Sequence, residues 1–217
     1  GMKANLEAEG ITSVKVVHNG VPKRLQRPAL AETPTVVFAG RLVWEKGVDV
    51  LLKAFALVKE RVAEAELIIA GQGVEAENLK LLAQDLEIAK SVKWLGHIPR
   101  PELEQQFNVA WVQVVPSLWA EPFGNVTTEA MMRGTAVIAS ATGAQPEIVN
   151  SNETGFLVPP GDIAALADAL LKLLSNRELA EEMGTSGRKR AIEEFSEERR
   201  TQNFLDIYQE IISNNRV

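Results

Sequence analysis

From Thr35 onward the chain alternates short apolar runs with stretches of helical periodicity, and this alternation constrains the fold more than any single motif. The strand-like runs are Thr35–Ala39, Glu66–Ala70, Val92–Leu95, Trp111–Val115, Ala136–Ala139 and Phe156–Val158. Helical spacing marks Val48–Val62, Ala76–Leu86, Glu102–Asn108, Val126–Arg133, Ile163–Leu174, Arg177–Met183 and Glu197–Ile212. In the first of these, Val50, Leu51, Ala54, Phe55 and Val58 recur three and four residues apart, the spacing of one helix face. Strands that are apolar throughout, separated by helices, predict an α/β fold: a Rossmann-like parallel sheet flanked by helices. The crossovers of such a sheet are right-handed.

The composition narrows the class further. With 217 residues, 46% of them hydrophobic, the chain is long enough for a substantial core without staples. It has no cysteine, which excludes disulfides and zinc–thiolate sites and fits a reducing compartment. Its formal net charge of −6 argues against nucleic acid as the main partner. No apolar run reaches the length of a membrane span, and no signal peptide is legible. Two histidines are too few for a His-rich metal site, and no metal-ligand cluster is legible. Gly1 before Met2 reads as a remnant of tag removal.

In a parallel sheet, ligands bind beyond the carboxyl ends of the strands. The informative residues all fall just after strands: Gly40-Arg41, Gly71-Gln72-Gly73, Gly96-His97-Ile98, Ser117 to Glu129, and Gly143. The stretch Ser117–Gly134 is the richest. Pro116 ends a strand, Pro122-Phe123-Gly124 turns, Asn125 is the expected N-cap of a helix, and Gly134 suits its C′ position. The amides of Gly124, Asn125, Val126 and Thr127 are then the unpaired donors of a helix N-terminus, an anion site. Glu121 and Glu129 bracket the turn. Phosphate between two carboxylates is consistent only if the carboxylates face neutral hydroxyls, as they would with a sugar nucleotide. A plain strand–turn–helix connection with surface glutamates stays open on spacing alone. Arg41 and Lys46 share the loop after the first strand, where they could converge on one diphosphate. Solvated surface charge is the alternative there.

Glu121 and Glu129, with seven residues between them in EPFGNVTTEA, resemble the E-x7-E motif of the retaining glycosyltransferases of family 4 (glycosyl transferase group 1). The likeness extends over about residues 14 to 212. It includes the Arg41/Lys46 loop, VVHNGV at residues 16–21, and GAQPEI at residues 143–148, where Ala144 replaces the second glycine of the family's GGxPEI. The resemblance implies the second, donor-binding half of a GT-B fold. On this reading residues 1–33 are an N-terminal arm, formerly an interdomain linker. Residues 34–195 bind a nucleotide-sugar, and residues 196–217 form a C-terminal helix that packs back on the domain. It implies Arg41 and Lys46 on the departing diphosphate, Glu121 on the sugar and Glu129 on the ribose. Phe123 and the amides through Thr127 surround phosphate, main-chain groups at Ile98 pair with the base, and Gly40, Gly71, Gly73 and Gly143 allow close backbone approach. The donor would be a UDP-, GDP- or ADP-sugar, with no metal or other cofactor. The partner would be an N-terminal acceptor domain missing from this chain. The exposed stripe left on the last helix (Phe204, Leu205, Tyr208, Ile211, Ile212) could then support self-association. The implied localisation is cytoplasmic, with peripheral attachment at the inner membrane face left open.

Three other classes stay open. Half an enzyme could hold a nucleotide without turnover. A GT-B-type nucleotide-sugar epimerase would need acid–base residues not identified here. A dinucleotide enzyme is suggested by Gly71-x-Gly73-x-x-Ala76, but this pattern follows the second strand and lacks an acidic residue after the next one. At Gly71 and Gly73 two readings stay open, a turn open to a nucleoside or a plain turn. His97 reads as a loop residue, Glu102 and Glu104 as a solvated helix face, Val14–Val17 as a short strand, and Asp162 as an N-cap.

Overall fold

The computed structural model describes residues 6–11 and 14–214. Gly1 and Met2 lie outside them. Six strands, β1 Thr35–Ala39, β2 Glu66–Ala70, β3 Val92–Gly96, β4 Val112–Val115, β5 Ala136–Ser140 and β6 Gly155–Val158, form one sheet. Its order is β3-β2-β1-β4-β5-β6, and every pair is parallel. The helices are α1 Val48–Lys59, α2 Ala76–Asp85, α3 Arg100–Phe107, α4 Asn125–Arg133, α5 Gln145–Ile148, α6 Ile163–Leu174, α7 Arg177–Glu194 and α8 Glu197–Asn214. The expected Rossmann-like sheet is therefore present. The strand order reverses between β1 and β4, and a ligand crevice opens at such a reversal.

The pleat explains the layering. Val36, Phe38, Val112, Val114, Ala136 and Ile138 point to one face and form a single cluster with α1 and α6. The alternate residues point the other way and form two clusters. Val37, Ile68 and Ala70 pack with Phe107 of α3. Val115, Val137 and Ala139 pack with Met131 and Met132 of α4 and Ala191 of α7. Between these two clusters runs a polar seam. Buried Arg133 donates to Gln113 Oε1 at 2.7 Å and lies 5.7 Å from the Phe107 ring centre. Burial pushes the pKa of Arg133 down, against the raising influence of Glu129 and Glu104. Gln113, at the middle of β4, completes the seam by donating to the Val126 carbonyl at 3.0 Å.

Several local expectations need correction. The sixth helical stretch does not stop at Met183 but runs to Glu194. Gly184 and Gly187 inside it look like helix breakers. A Cβ at Gly184 would sit 2.2 Å from the Gly134 carbonyl oxygen, so this glycine lets α7 lie against the end of α4. The first helix ends at Lys59, and the third begins earlier, at Arg100. Val14–Val17 form no strand and instead border a groove against Asn203 and Ile207 of α8. The residue types His18-Asn19-Gly20 suggest a turn, but none forms there, and an added Cβ at Gly20 would meet Glu197 Cα at 2.7 Å. The arm is pinned by an isolated bridge between Val21 and Ser196 and by the Arg27 amide on the Arg133 carbonyl at 2.9 Å. Its buried Arg27 guanidinium reaches Glu181 at 2.8 Å. Asp162 caps α6 as expected, accepting from the Ala165 amide at 2.9 Å.

Candidate functional site

The site starts from the two loops at the switch point. After β1, residues 40–47 form a short 3-10 turn, Trp44–Lys46, closed by Gly47 at φ +63°. A Cβ on Gly47 would sit 2.1 Å from the Pro116 carbonyl oxygen, so only glycine lets this loop press on the end of β4. The Leu118 amide then donates to the Glu45 carbonyl at 2.8 Å. These contacts carry Lys46 across to Glu121, where Nζ donates to Oε1 at 2.7 Å. The Ser117 hydroxyl donates to the same oxygen. Ser117 is buried, whereas Lys46 and Glu121 keep 24% and 22% of their side chains exposed. Among the described residues Oε2 of Glu121 has no partner. One carboxylate oxygen is thus saturated and the other is available.

Four residues on, α4 begins. Gly124, not Asn125, is its N-cap, at φ −156° and ψ 61°, and no side chain caps the helix. Asn125 is instead exposed as the first helical residue. With no cap in place, the amides of Asn125, Val126 and Thr127 have no protein acceptor among the described residues. They carry the positive end of the helix dipole, favourable to an anion by about 0.3–1 kcal/mol. The Thr127 side chain turns inward, donating to Gln145 Oε1 at 2.8 Å. Phe123 is half-buried and packs against His18 and Phe195, with ring centres 6.3 and 6.1 Å away. Its ring supports the turn from the arm side.

Gly143 closes the third side. At φ +58°, a Cβ there would fall 2.4 Å from the Glu121 carbonyl oxygen, and the Ala144 amide donates to that oxygen at 3.1 Å. The glycine is therefore needed for the Glu121 backbone to seat. Ala144 adopts φ −82°, so the alanine that departs from the GGxPEI pattern introduces no strain.

On the β2–β3 side a cavity of about 270 Å³ is lined by Gly40, Arg41, Gly71, Gln72, His97 and Ile98, among others. Arg41 is exposed at its rim. Gly71 and Gly73 serve loop packing: added Cβ atoms would meet the Gly40 and Leu42 carbonyl oxygens at 1.8 and 2.0 Å. The pattern that suggests a dinucleotide fingerprint is thus filled by protein backbone. Glu129, one turn into α4 and mostly buried, pairs with Arg100 at the start of α3. Glu102 is exposed as expected, but Glu104 faces Arg24 at 3.4 Å.

The structure therefore brings together Lys46, Glu121, Gly143 and the start of α4, and separately Arg41, Gly40, Gly71 and Ile98. Ser117 and Gln145 were not singled out from the sequence as site residues. A small polar residue directly after a strand end was the available signal for Ser117. Gln145 gave none, because its burial against Thr127 depends on α5 meeting α4.

Residues 23–190 match the family described as glycosyl transferases group 1. The chain belongs to this family. Among its curated relatives is a GDP-mannose-dependent alpha-(1-6)-phosphatidylinositol monomannoside mannosyltransferase of Mycobacterium tuberculosis, 37% identical over 170 residues. That match takes in 76% of this chain and 44% of the relative. Sucrose-phosphate synthase from Thermosynechococcus elongatus superposes with a TM-score of 0.84 at 30% identity, over 99% of this chain and 57% of that one. The solved C-terminal domain of a glycosyl transferase group 1 family protein from Francisella tularensis shares the fold. Its TM-score is 0.74 at 22% identity, and the match takes in 82% of this chain and all of that domain. The chain spans less than half the length of the mannosyltransferase it matches, and its sheet is the second Rossmann-like half of a GT-B glycosyltransferase fold. Among the described residues, no group of three or more His, Cys, Asp or Glu could hold a metal ion. No helix there is long and apolar enough to cross a membrane.

Proposed function

We propose that this group 1 domain binds a nucleotide-sugar and supplies the donor side of a retaining glycosyl transfer to an acceptor hydroxyl. The observation that carries the reading is the Lys46–Glu121 contact at the uncapped start of α4, directly over the β1/β4 reversal. A cation, a carboxylate with one free oxygen and a set of unpaired amides together match a diphosphate joined to a sugar. The amides and Lys46 take the phosphates, joined by Arg41 from the cavity rim. The acceptor hydroxyl oxygen bonds to the anomeric carbon and gives up its proton to the departing diphosphate. As it does so, the bond from that carbon to the phosphate oxygen breaks and its electron pair stays on the diphosphate. Cations fixed there stabilise the charge as it develops. Glu121, held by Ser117, offers Oε2 to a sugar hydroxyl. The base lies toward Ile98, and Glu129 takes the ribose hydroxyls. The mannosyltransferase relative's name points to GDP-mannose as the first donor to try.

The acceptor is proposed to bind a further, N-terminal domain, since the chain spans 44% of that relative. The chain alone would then hold nucleotide and transfer little. The same share favours a second reading, a nucleotide-binding module with no turnover of its own. Placement in the cytoplasm, with attachment at a membrane face, belongs to this proposal as well.

The test is calorimetry with UDP, GDP, ADP and NADH, followed by GDP-mannose. One nucleoside diphosphate should bind in preference to NADH. Arg41→Ala with Lys46→Ala should weaken it by about 1.5–3 kcal/mol per charged hydrogen bond lost. Unchanged affinity in the double variant would remove both residues from the site. Adding an acceptor-side half from a relative and measuring transfer separates the enzyme from the binding module.

A further inference from the structure

The strongest unassigned feature is the ion pair between Arg100 and Glu129, and it rests on the reading of Glu129 given above. The two residues come from different elements, α3 and α4, and meet in an ion pair. Arg100 is the first residue of α3, directly after the Ile98 loop, and Glu129 lies one turn into α4. Here α3 and α4 meet through the polar seam instead of through an apolar contact. Arg133 Nε and Arg24 Nη2 in that seam are buried without a partner among the described residues. Little else fixes the Glu129 carboxylate. Among the described residues its side chain has no hydrogen-bond partner besides Arg100, which binds Oε1 only. Oε2 is left free, with 18% of the side chain exposed. Three other groups act on the same region: Arg133 from below, Arg24 from the arm and Glu104 from α3.

We propose that Arg100 is a positioning residue that sets how well the site distinguishes ribose from deoxyribose. A carboxylate accepts about four hydrogen bonds, so one guanidinium on Oε1 leaves room for a vicinal diol across both oxygens. Arg100 holds Glu129 in one rotamer before ligand arrives, which lowers the ordering cost of binding. Because Arg100 is 52% exposed, the pair contributes little to folding, so its loss should appear in selectivity and leave stability nearly unchanged.

The test measures affinities of the 217-residue chain for GDP and UDP and for their 2′-deoxy and 3′-deoxy forms, together with thermal midpoints. Glu129→Gln should abolish the preference for ribose. Arg100→Ala should reduce that preference by about fivefold, the scale of a partly exposed charge pair, with an unchanged midpoint. Arg100→Lys should restore part of it. If Glu129→Gln abolishes the preference while Arg100→Ala leaves it intact, the positioning role is wrong and the ribose role of Glu129 stands. A preference that survives Glu129→Gln overturns both, as does wild-type protein that binds none of the six ligands. An equal loss for ribo and deoxy ligands in Arg100→Ala also overturns the proposal, since it would place Arg100 on the phosphates or the base.

Discussion

The two faces of the sheet are built on different principles. One carries a continuous apolar layer in which Phe55, Leu51 and Leu52 of α1 are fully buried against β1, β4 and α6. The other is interrupted along the α3–α4 line by Arg133, Gln113, Arg100 and Glu129. Apolar burial is non-directional, and this layer is packed continuously, so the first face is the foundation. Hydrogen-bonded polar groups fix orientation at a desolvation cost, so the second face can present the start of α4 and its carboxylates to a substrate. The site opens where the two meet, at the carboxyl ends of β1 and β4.

The sharpest way to break this division is Phe55→Ala. It should cost about 3–5 kcal/mol in denaturant unfolding, the range for a fully buried phenylalanine. Nucleoside diphosphate affinity of the folded fraction should stay within about threefold, a shift under 1 kcal/mol. A larger loss of binding would mean that the apolar face also shapes the site.

A middle-sized test addresses how the arm is tied to the polar face. The Glu181 carboxyl is held below its ordinary value of 4.5. Burial is the largest influence and raises it, but hydrogen bonds from Arg27 and the Leu30 amide, together with the Arg27 and Arg177 charges, outweigh it. A depressed folded-state pKa stabilises above the unfolded value, and that contribution is lost as pH falls through the folded value. Glu181→Gln should therefore destabilise by about 1–2 kcal/mol at neutral pH. Arg27 is buried and loses a partner, while solvent screens the 38%-exposed carboxylate. The difference from wild type should close as pH falls below 4.5. A pH-independent difference would assign the effect to packing.

The smallest expected effect sharpens the comparison most. Ser117→Ala removes one hydrogen bond to Glu121 at the boundary between the faces. It should weaken a nucleotide-sugar by about 0.5–1.5 kcal/mol while leaving the sugar-free diphosphate unchanged, because Glu121 is proposed to face the sugar. Equal losses for both would move Ser117 and Glu121 to the phosphate side.

Much of this was legible in the chain. β1, β2 and α6 fall on the expected residues because strand and helix periods are local properties of side-chain order. The loop cations, the two glutamates and the Gly143 turn could be picked out because each follows a strand end. The full length of α7 was hidden, since Gly184 reads locally as a breaker and is explained only by the Gly134 carbonyl beside it. The cap of α4 was misplaced for a similar reason. Asn125 is the better capping residue in isolation, yet the turn is held by Gly124 against Gln145 and Ile148.

By itself the sequence determined a parallel sheet, the order of its elements and the set of residues that follow its strands. Tertiary structure alone decided which of those residues meet. Lys46 reaches Glu121 because Gly47 lets two backbones approach, and Glu129 is claimed by a helix that starts 29 residues earlier. Spacing along a chain fixes direction within one element, whereas a contact between elements depends on how closely their backbones pack.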